Sequence, residues 1–408
     1  MTAVARRGLK ARAIGLPDRV WLPALVAMLL ALTFVGARFI IAADRDASKF
    51  AVVGSTFAPD PSQVPPSLHV FPDADGYDGQ FFYRLALDPS ALEIGLSHGV
   101  SFDDILRSGR IAYPALAWAG ALGGSSELVP WALIGINVVG IGAIGALGGV
   151  LAKRYGHHAG WGLLLAGYWG FTFSVSRDLS EIMAATATLG GLVLLLDRRH
   201  LAAAGAFSVA VLTREQALIT AVLLSGGALV SMWRGEARPT RERLGPLLPL
   251  VLPAIALAAW SGVVYAVSGD VPLTSSSSSN FGLPFFGLFD AMQDWVAGVG
   301  VESDRRPFKS SLNFLQLGAL LLVLWFAVRS WRNARDHLEL WFAGAGMFLL
   351  FVCLTDQVLG DPANFRTIYD LYLLGVVLAL ACGRNLRVLA YAVPLVSFVS
   401  AVPLVVRV

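Results

Sequence analysis

The chain has 408 residues, of which 56% are hydrophobic and only 14% charged, where a soluble protein carries roughly 25% charged residues. Such scarce charge, combined with long apolar runs, excludes an ordinary soluble domain and predicts an all-α polytopic membrane protein. The net charge is only +3 and no basic block interleaved with aromatics appears, so no nucleic-acid partner is expected. The two cysteines, Cys353 and Cys382, fall in apolar runs and form no metal motif.

The chain opens basic and polar, with Arg6, Arg7, Lys10 and Arg12. The first apolar run, 20–43, is longer than the core of a cleaved signal and reads as a retained membrane helix. Further runs at 128–151, 158–175, 180–196, 201–213, 216–233, 246–268, 311–328, 338–355, 368–383 and 387–406 predict about eleven transmembrane helices. Those at 201–213 and 368–383 are short for a span. The stretch "RIAYPALAWAGALGG" (110–124) reads as a surface helix or a re-entrant segment.

Alternate loops are short and basic: Lys153 and Arg154, Arg198 and Arg199, Arg234 with Arg238, Arg241 and Arg243, Arg329 with Arg332 and Arg335, and Arg384 with Arg387. The excess of Lys and Arg on one side predicts a cytoplasmic N-terminus, an extracytoplasmic C-terminus and residence in the cell membrane. The chain reads as one integral membrane domain, 1–408, with two long extracytoplasmic loops at 44–127 and 269–310. The second loop holds a low-complexity Ser275–Ser279 run. It also carries Phe281, Phe285, Phe286 and Trp295, expected at the bilayer surface. The two halves lack the matching hydropathy of an inverted-repeat transporter.

The first loop contains "DADGYDGQFFYRLALDP" (73–89). "DADGYDG" reads as a turn delivering Asp78 to the membrane surface, with Gly76 and Gly79 allowing close backbone approach. "QFFYRLALDP" reads as a short interfacial helix with its rings in lipid and Pro89 beyond its end. Asp78 is equally a favoured helix N-cap. Other charges fall in tight turns at the same predicted face: Arg177, Asp178 and Glu181; Arg214 and Glu215; Asp356, Asp361, Arg366 and Asp370. Ionisable groups at membrane helix ends are commonly paired and functional.

Arginine recognises phosphate bidentately, a carboxylate accepts a proton from an attacking hydroxyl, and aromatics stack on sugars or line a lipid groove. The combination suits a lipid-linked phosphate donor and a hydroxyl acceptor. Simpler readings stand beside it. Arg214 and Arg366 can snorkel to headgroups, Glu181 and Glu215 can pair with neighbouring arginines, and Tyr369 and Tyr372 can serve as packing or belt aromatics. The Asp73–Asp75 pair, with His69 and His98 in the same loop, invites a divalent metal. The same spacing is common in ordinary turns, and no cofactor is assigned.

"YDGQFFYRLALDP" resembles the Tyr-Asp-(Glu or Gly)-x-x-Tyr-x-x-x-Ala pattern of the protein-mannosyltransferase and aminoarabinose-transferase branches of the GT-C glycosyltransferase superfamily. "RDLSEIMAATATLGGLVLLL", "LTREQALI" and "NFRTIYDLYLLGVVLAL" resemble segments of bacterial members. The layout, a long outer loop opening after the first helix, is similar too. The resemblance implies an inverting membrane glycosyltransferase that uses a polyprenyl-phosphate sugar donor. Its acceptor would be a hydroxyl of a cell-envelope glycan, lipid or protein. Asp78 matches the catalytic aspartate. One or more of Arg177, Arg214 and Arg366 are expected to hold the donor phosphate, with Arg84 competing for that role, and Asp75, Gln80, Tyr83, Arg84, Glu181 and Glu215 are the candidate substrate contacts. The sequence departs from the pattern at Gly79, where glutamate often stands. The competing reading is a transporter or flippase for a glycolipid or polyprenyl-linked substrate, which requires ionisable residues near mid-helix along a path across the membrane.

Overall fold

The computed structural model describes residues 18–234, 245–272, 280–300, 306–329, 337–382 and 386–406. Arg6, Arg7, Lys10, Arg12, Arg238, Arg241, Arg243, Ser275–Ser279, Arg332, Arg335 and Arg384 lie outside these residues. The described chain is 73% helix. Its one sheet is a parallel pairing of Val53–Gly54 with Val70–Phe71, so the all-α membrane class stands.

Among the described residues, six helical segments are long and apolar enough to cross a membrane. They are α1 (Trp21–Ile41), α4 (Val129–Arg154), α10 (Leu247–Ser268), α12 (Arg306–Val328), the segment Pro362–Ala381 and α16 (Arg387–Val406). Four further apolar helices are shorter: α7 (Glu181–Leu196), α8 (His200–Thr213), α9 (Ala217–Arg234) and α13 (Leu338–Val352). The expected count of about eleven is therefore not reached. One cause is visible at 158–175, where a single span was expected. There the chain breaks into a 3₁₀ turn, Ala159–Gly162, a four-residue α5 (Leu163–Ala166) and α6 (Trp169–Ser176). Tyr168 turns extended between the last two. Its hydroxyl donates to the Phe365 carbonyl, and its ring stacks 4.5 Å from Tyr372. Tertiary bonding thus replaces helix continuity.

The long helices pack as a bundle. α1 lies along α4, and at Gly145 of α4 a Cβ would come 2.7 Å from the Pro23 carbonyl, so a larger residue would force the two apart. The windows of highest hydropathy in α1 and α16 are only 22% buried within the protein. Leu29, Leu30, Ile40, Leu395 and Phe398 are exposed along them. Apolar surface of this extent on long helices fits a lipid-facing exterior.

The first loop folds inward. α2 (Gly79–Leu87) is buried along its whole length, which corrects the expectation of an interfacial helix with its rings in lipid. Phe82 packs edge-on against Tyr113, with ring centroids 5.4 Å apart, and Phe81 against Phe57 at 5.4 Å. α3 (Ala112–Gly120) follows, held to α4 by the Tyr113 hydroxyl, which donates to the Leu133 carbonyl and accepts from Asn137. In the second loop, α11 (Phe286–Val299) buries Gly287, Ala291, Trp295 and Gly298 at near-helical spacing and exposes Phe286, Phe289 and Val296. A short α14 (Asp356–Leu359) and a 3₁₀ stretch, Pro362–Ile368, lead into α15 (Tyr369–Cys382). Trp295 of α11 lies 6.3 Å from Phe365 in that stretch.

Candidate functional site

Five connections meet at one end of the bundle: the turn before α2, the 3₁₀ turn Ile105–Gly109, the α6–α7 turn, the α8–α9 turn, and the stretch leading into α15. Asp78 occupies the N-cap position of α2 but its side chain caps nothing. It turns instead toward arginines. Its Oδ2 lies 3.0 Å from Arg107 Nη1, 3.9 Å from Arg110 Nη1 and 3.9 Å from Arg366 Nη2.

Each arginine is held from behind. Arg107 forks onto Asp103, Nε to Oδ1 at 2.9 Å and Nη2 to Oδ2 at 2.8 Å. Arg110 forks onto Glu215, Nε to Oε2 at 3.0 Å and Nη2 to Oε1 at 2.8 Å. Glu181, the fully buried first residue of α7, accepts on one oxygen from Arg214 at 2.6 Å and from Arg366 Nε at 2.9 Å. Its other oxygen accepts from Ser174 at 3.2 Å. The turn carrying Arg107 is fixed by Asp104, which accepts from the Leu106 amide. Trp260 of α10 secures it further, donating to the Ser108 carbonyl at 2.9 Å. Forked guanidinium–carboxylate pairs of this kind fix orientation as well as charge.

Aromatic rings close one side. Tyr77 and Phe173 meet edge-on at 5.3 Å. Arg366 lies 5.2 and 5.4 Å from the two ring centres, and Arg177 lies 5.8 and 5.6 Å from them. Four guanidiniums, those of Arg107, Arg110, Arg214 and Arg366, thus face four carboxylates, those of Asp78, Asp103, Glu181 and Glu215. Arg177 adds a fifth cation that pairs with no described carboxylate. Its buried Nε has no hydrogen-bond partner among the described residues.

Asp78 keeps 19% of its side-chain surface exposed. Burial is the strongest single influence on it and opposes its charge. The guanidiniums of Arg107, Arg366, Arg110 and Arg214 together outweigh burial and hold the carboxyl below its usual range. Glu215 feels the same contest. Burial pushes it up, but the charge and hydrogen bonds of Arg110, with Arg214 behind, bring it down to about 2. Asp178 is the counter-example. It is fully buried with neither oxygen hydrogen-bonded among the described residues, and burial lifts its pKa well above the carboxylate range, against a weaker pull from Arg38.

Of the residues expected from sequence, Asp78, Glu181, Arg214, Glu215 and Arg366 share this network, with Arg177 at its aromatic edge. The others are placed elsewhere. Asp75 is exposed and accepts from the Thr56 hydroxyl at 2.9 Å. Gln80 is buried, accepting from the Gly54 amide at 3.1 Å and donating to the Asp75 carbonyl at 2.9 Å, so both ends of its amide serve the loop. The Tyr83 ring is wholly buried, packed with Phe82 and Tyr113. Arg84 donates to four backbone carbonyls, those of Ala91, Glu93, Gly95 and Val100, and lies over Phe102 at 4.0 Å. The amide of Gln80, the guanidinium of Arg84 and the ring of Tyr83 are thus used in folding the first loop. Tyr372 is a packing residue, its hydroxyl donating to the Leu164 carbonyl. Asp361 caps the Ala363 amide and pairs with Lys309.

Arg107, Arg110 and Asp103 went unnoticed in the sequence, although "SFDDILRSGR" (101–110) carries them in one short polar run. No group of three or more His, Cys, Asp or Glu placed to hold a metal ion occurs among the described residues. His98 lies 3.8 Å from Asp88. Compared with protein-family models, with curated proteins and with solved structures, the chain matches none.

Proposed function

We propose that the protein is a membrane-embedded glycosyltransferase of GT-C type. It would transfer a sugar from a polyprenyl-phosphate donor to an acceptor hydroxyl on the extracytoplasmic side, with inversion. The single observation that carries this reading is the convergence of three arginines on Asp78, a carboxylate still open to solvent, at the end of the bundle where Tyr77 and Phe173 present their rings. The acceptor oxygen attacks the anomeric carbon as the bond from that carbon to the phosphate oxygen breaks. The lipid phosphate leaves with the bonding electrons, and Asp78 receives the acceptor proton. Guanidiniums preset around the leaving phosphate supply the electrostatic stabilisation.

The distribution of charge along the spans supports an enzyme over a carrier. In five of the six long segments every Asp, Glu, Lys and Arg lies near an end of its helix; the other, Pro362–Ala381, carries Arg366 and Asp370 in its first half. Arg38 is in the last turn of α1, Lys153 and Arg154 close α4, and Arg306 and Lys309 open α12. Arg366 precedes α15 and Asp370 stands in its first turn. A translocation path calls for ionisable groups nearer the midplane.

The test is incubation of purified protein with a panel of polyprenyl-phosphate sugars, followed by mass spectrometry of the donor. Consumption of one donor, with release of polyprenyl phosphate and a glycosylated acceptor, is the predicted result. Movement of lipid across liposomes with no glycosyl product would assign the chain to the carrier class instead.

A further inference from the structure

Three guanidiniums aim at one oxygen, Asp78 Oδ2. Arg107 Nη1 is at hydrogen-bond distance, 3.0 Å, whereas Arg110 Nη1 and Arg366 Nη2 stand off at 3.9 Å. The stand-off is too long for a hydrogen bond. Neither of those two nitrogens makes another hydrogen bond among the described residues. Two charged donors are thus left partly unused near a single carboxylate oxygen. The remaining nitrogens of the same arginines are fixed by Glu215, Glu181, Ala363 and Asn364, so the donors are preset in direction. A tetrahedral oxyanion with several acceptor oxygens fills such a cradle better than one carboxylate oxygen.

We propose that Arg107, Arg110 and Arg366 form the receptor for the donor's phosphate, and that Asp78 occupies this receptor until the donor enters. This rests on the phosphate-linked donor proposed above. Arg107 and Arg110 then become phosphate ligands beside Arg366, with Arg214 acting behind Arg366 through Glu181. The arrangement also orders the reaction. While the arginines are engaged with Asp78, its carboxylate is a poor proton acceptor. When a phosphate draws them away, Asp78 gains proton affinity beside the leaving group, where an acceptor hydroxyl needs it. The donor binds first and the base is switched on by it.

The direct test is titration of full-length protein in nanodiscs with undecaprenyl monophosphate, a probe that carries the phosphate and no sugar. If Asp78 competes for the receptor, Asp78→Asn binds the probe more tightly than wild type, by about tenfold or more, and Arg107→Gln binds it more weakly by a similar factor. In the double variant the gain from Asp78→Asn disappears, because the freed arginine is no longer there. Arg107→Lys, which keeps the charge beside Asp103, replaces the Gln variant should that one fail to fold. The proposal is overturned if wild type binds the probe and Asp78→Asn binds it no better, in which case the phosphate-donor reading survives alone. It is also overturned if the gain persists without Arg107, since simple loss of repulsion then explains it. If neither wild type nor Asp78→Asn binds, the phosphate-donor reading falls and the proposal with it.

Discussion

Glu181 is the residue on which the candidate site's geometry most depends. One of its oxygens receives both Arg214 and Arg366 while the whole side chain is shut away from solvent. Removing the charge leaves two buried guanidiniums short of a partner, which costs about 3 kcal/mol or more. Glu181→Gln should therefore lower the thermal unfolding midpoint by several degrees. An unchanged midpoint would mean that these arginines do not rely on it. Glu215 gives a pH signature. Its folded-state pKa, about 2 against an ordinary 4.5, is depressed, so its pairing with Arg110 stabilises the fold fully above about pH 4.5 and is lost as pH falls toward 2. Unfolding midpoints measured from pH 7 down to pH 3 should fall mainly in the acid part of that window, and Glu215→Gln should flatten the fall. Glu181, Arg214 and Arg366 were legible in sequence because each sits in a short turn where charge interrupts an apolar chain, and Asp78 because its stretch interleaves acids with aromatics. Arg107 and Arg110 were not, since they lie in a long loop whose return to the bundle depends on contacts such as Trp260 to Ser108.

Among elements, α2 decides where Asp78 points. A Cβ on Gly79 would meet the Arg177 carbonyl at 2.2 Å and the Ala51 carbonyl at 2.8 Å, both of them backbone atoms with little room to move. Glycine at this position lets the start of α2 press against the α6–α7 turn. Gly79→Ala is expected to separate the two, lowering both thermal stability and affinity for polyprenyl phosphate. An Ala variant indistinguishable from wild type in both measurements would contradict that placement. Arg84, expected among the substrate contacts, spends its guanidinium on four carbonyls of the 91–100 segment. Arg84→Lys should fail to restore the stability lost in Arg84→Ala, because one ammonium cannot reproduce a planar fork. In α2 itself, three aromatics beside charge read as a membrane-surface helix, whereas the structure supplies a protein core for them from α3, α4 and the 91–102 loop. Hydropathy alone does not separate burial in lipid from burial in protein.

For the whole molecule, the sequence conveyed the helical membrane class through its apolar runs, but overstated the number of spans. Runs such as 158–175 are apolar because they are buried among other helices, not because they cross as single rods. The distribution of basic residues proposes a direction, with the Asp78 end outside. Single cysteines at Ser62 and Arg199, in a background lacking Cys353 and Cys382, would report it. An impermeant maleimide on intact cells should label the Ser62 position and spare Arg199, and the reverse pattern would invert the topology. Above these stands the claim that Asp78 is the base of glycosyl transfer. It is tested most directly by comparing wild type with Asp78→Asn in a transfer assay with labelled polyprenyl-phosphate sugar, after confirming that both proteins are monodisperse and unfold at similar temperatures. Transfer by wild type and its loss in the Asn variant are expected; full activity of the folded Asn variant would mean that Asp78 is not the base.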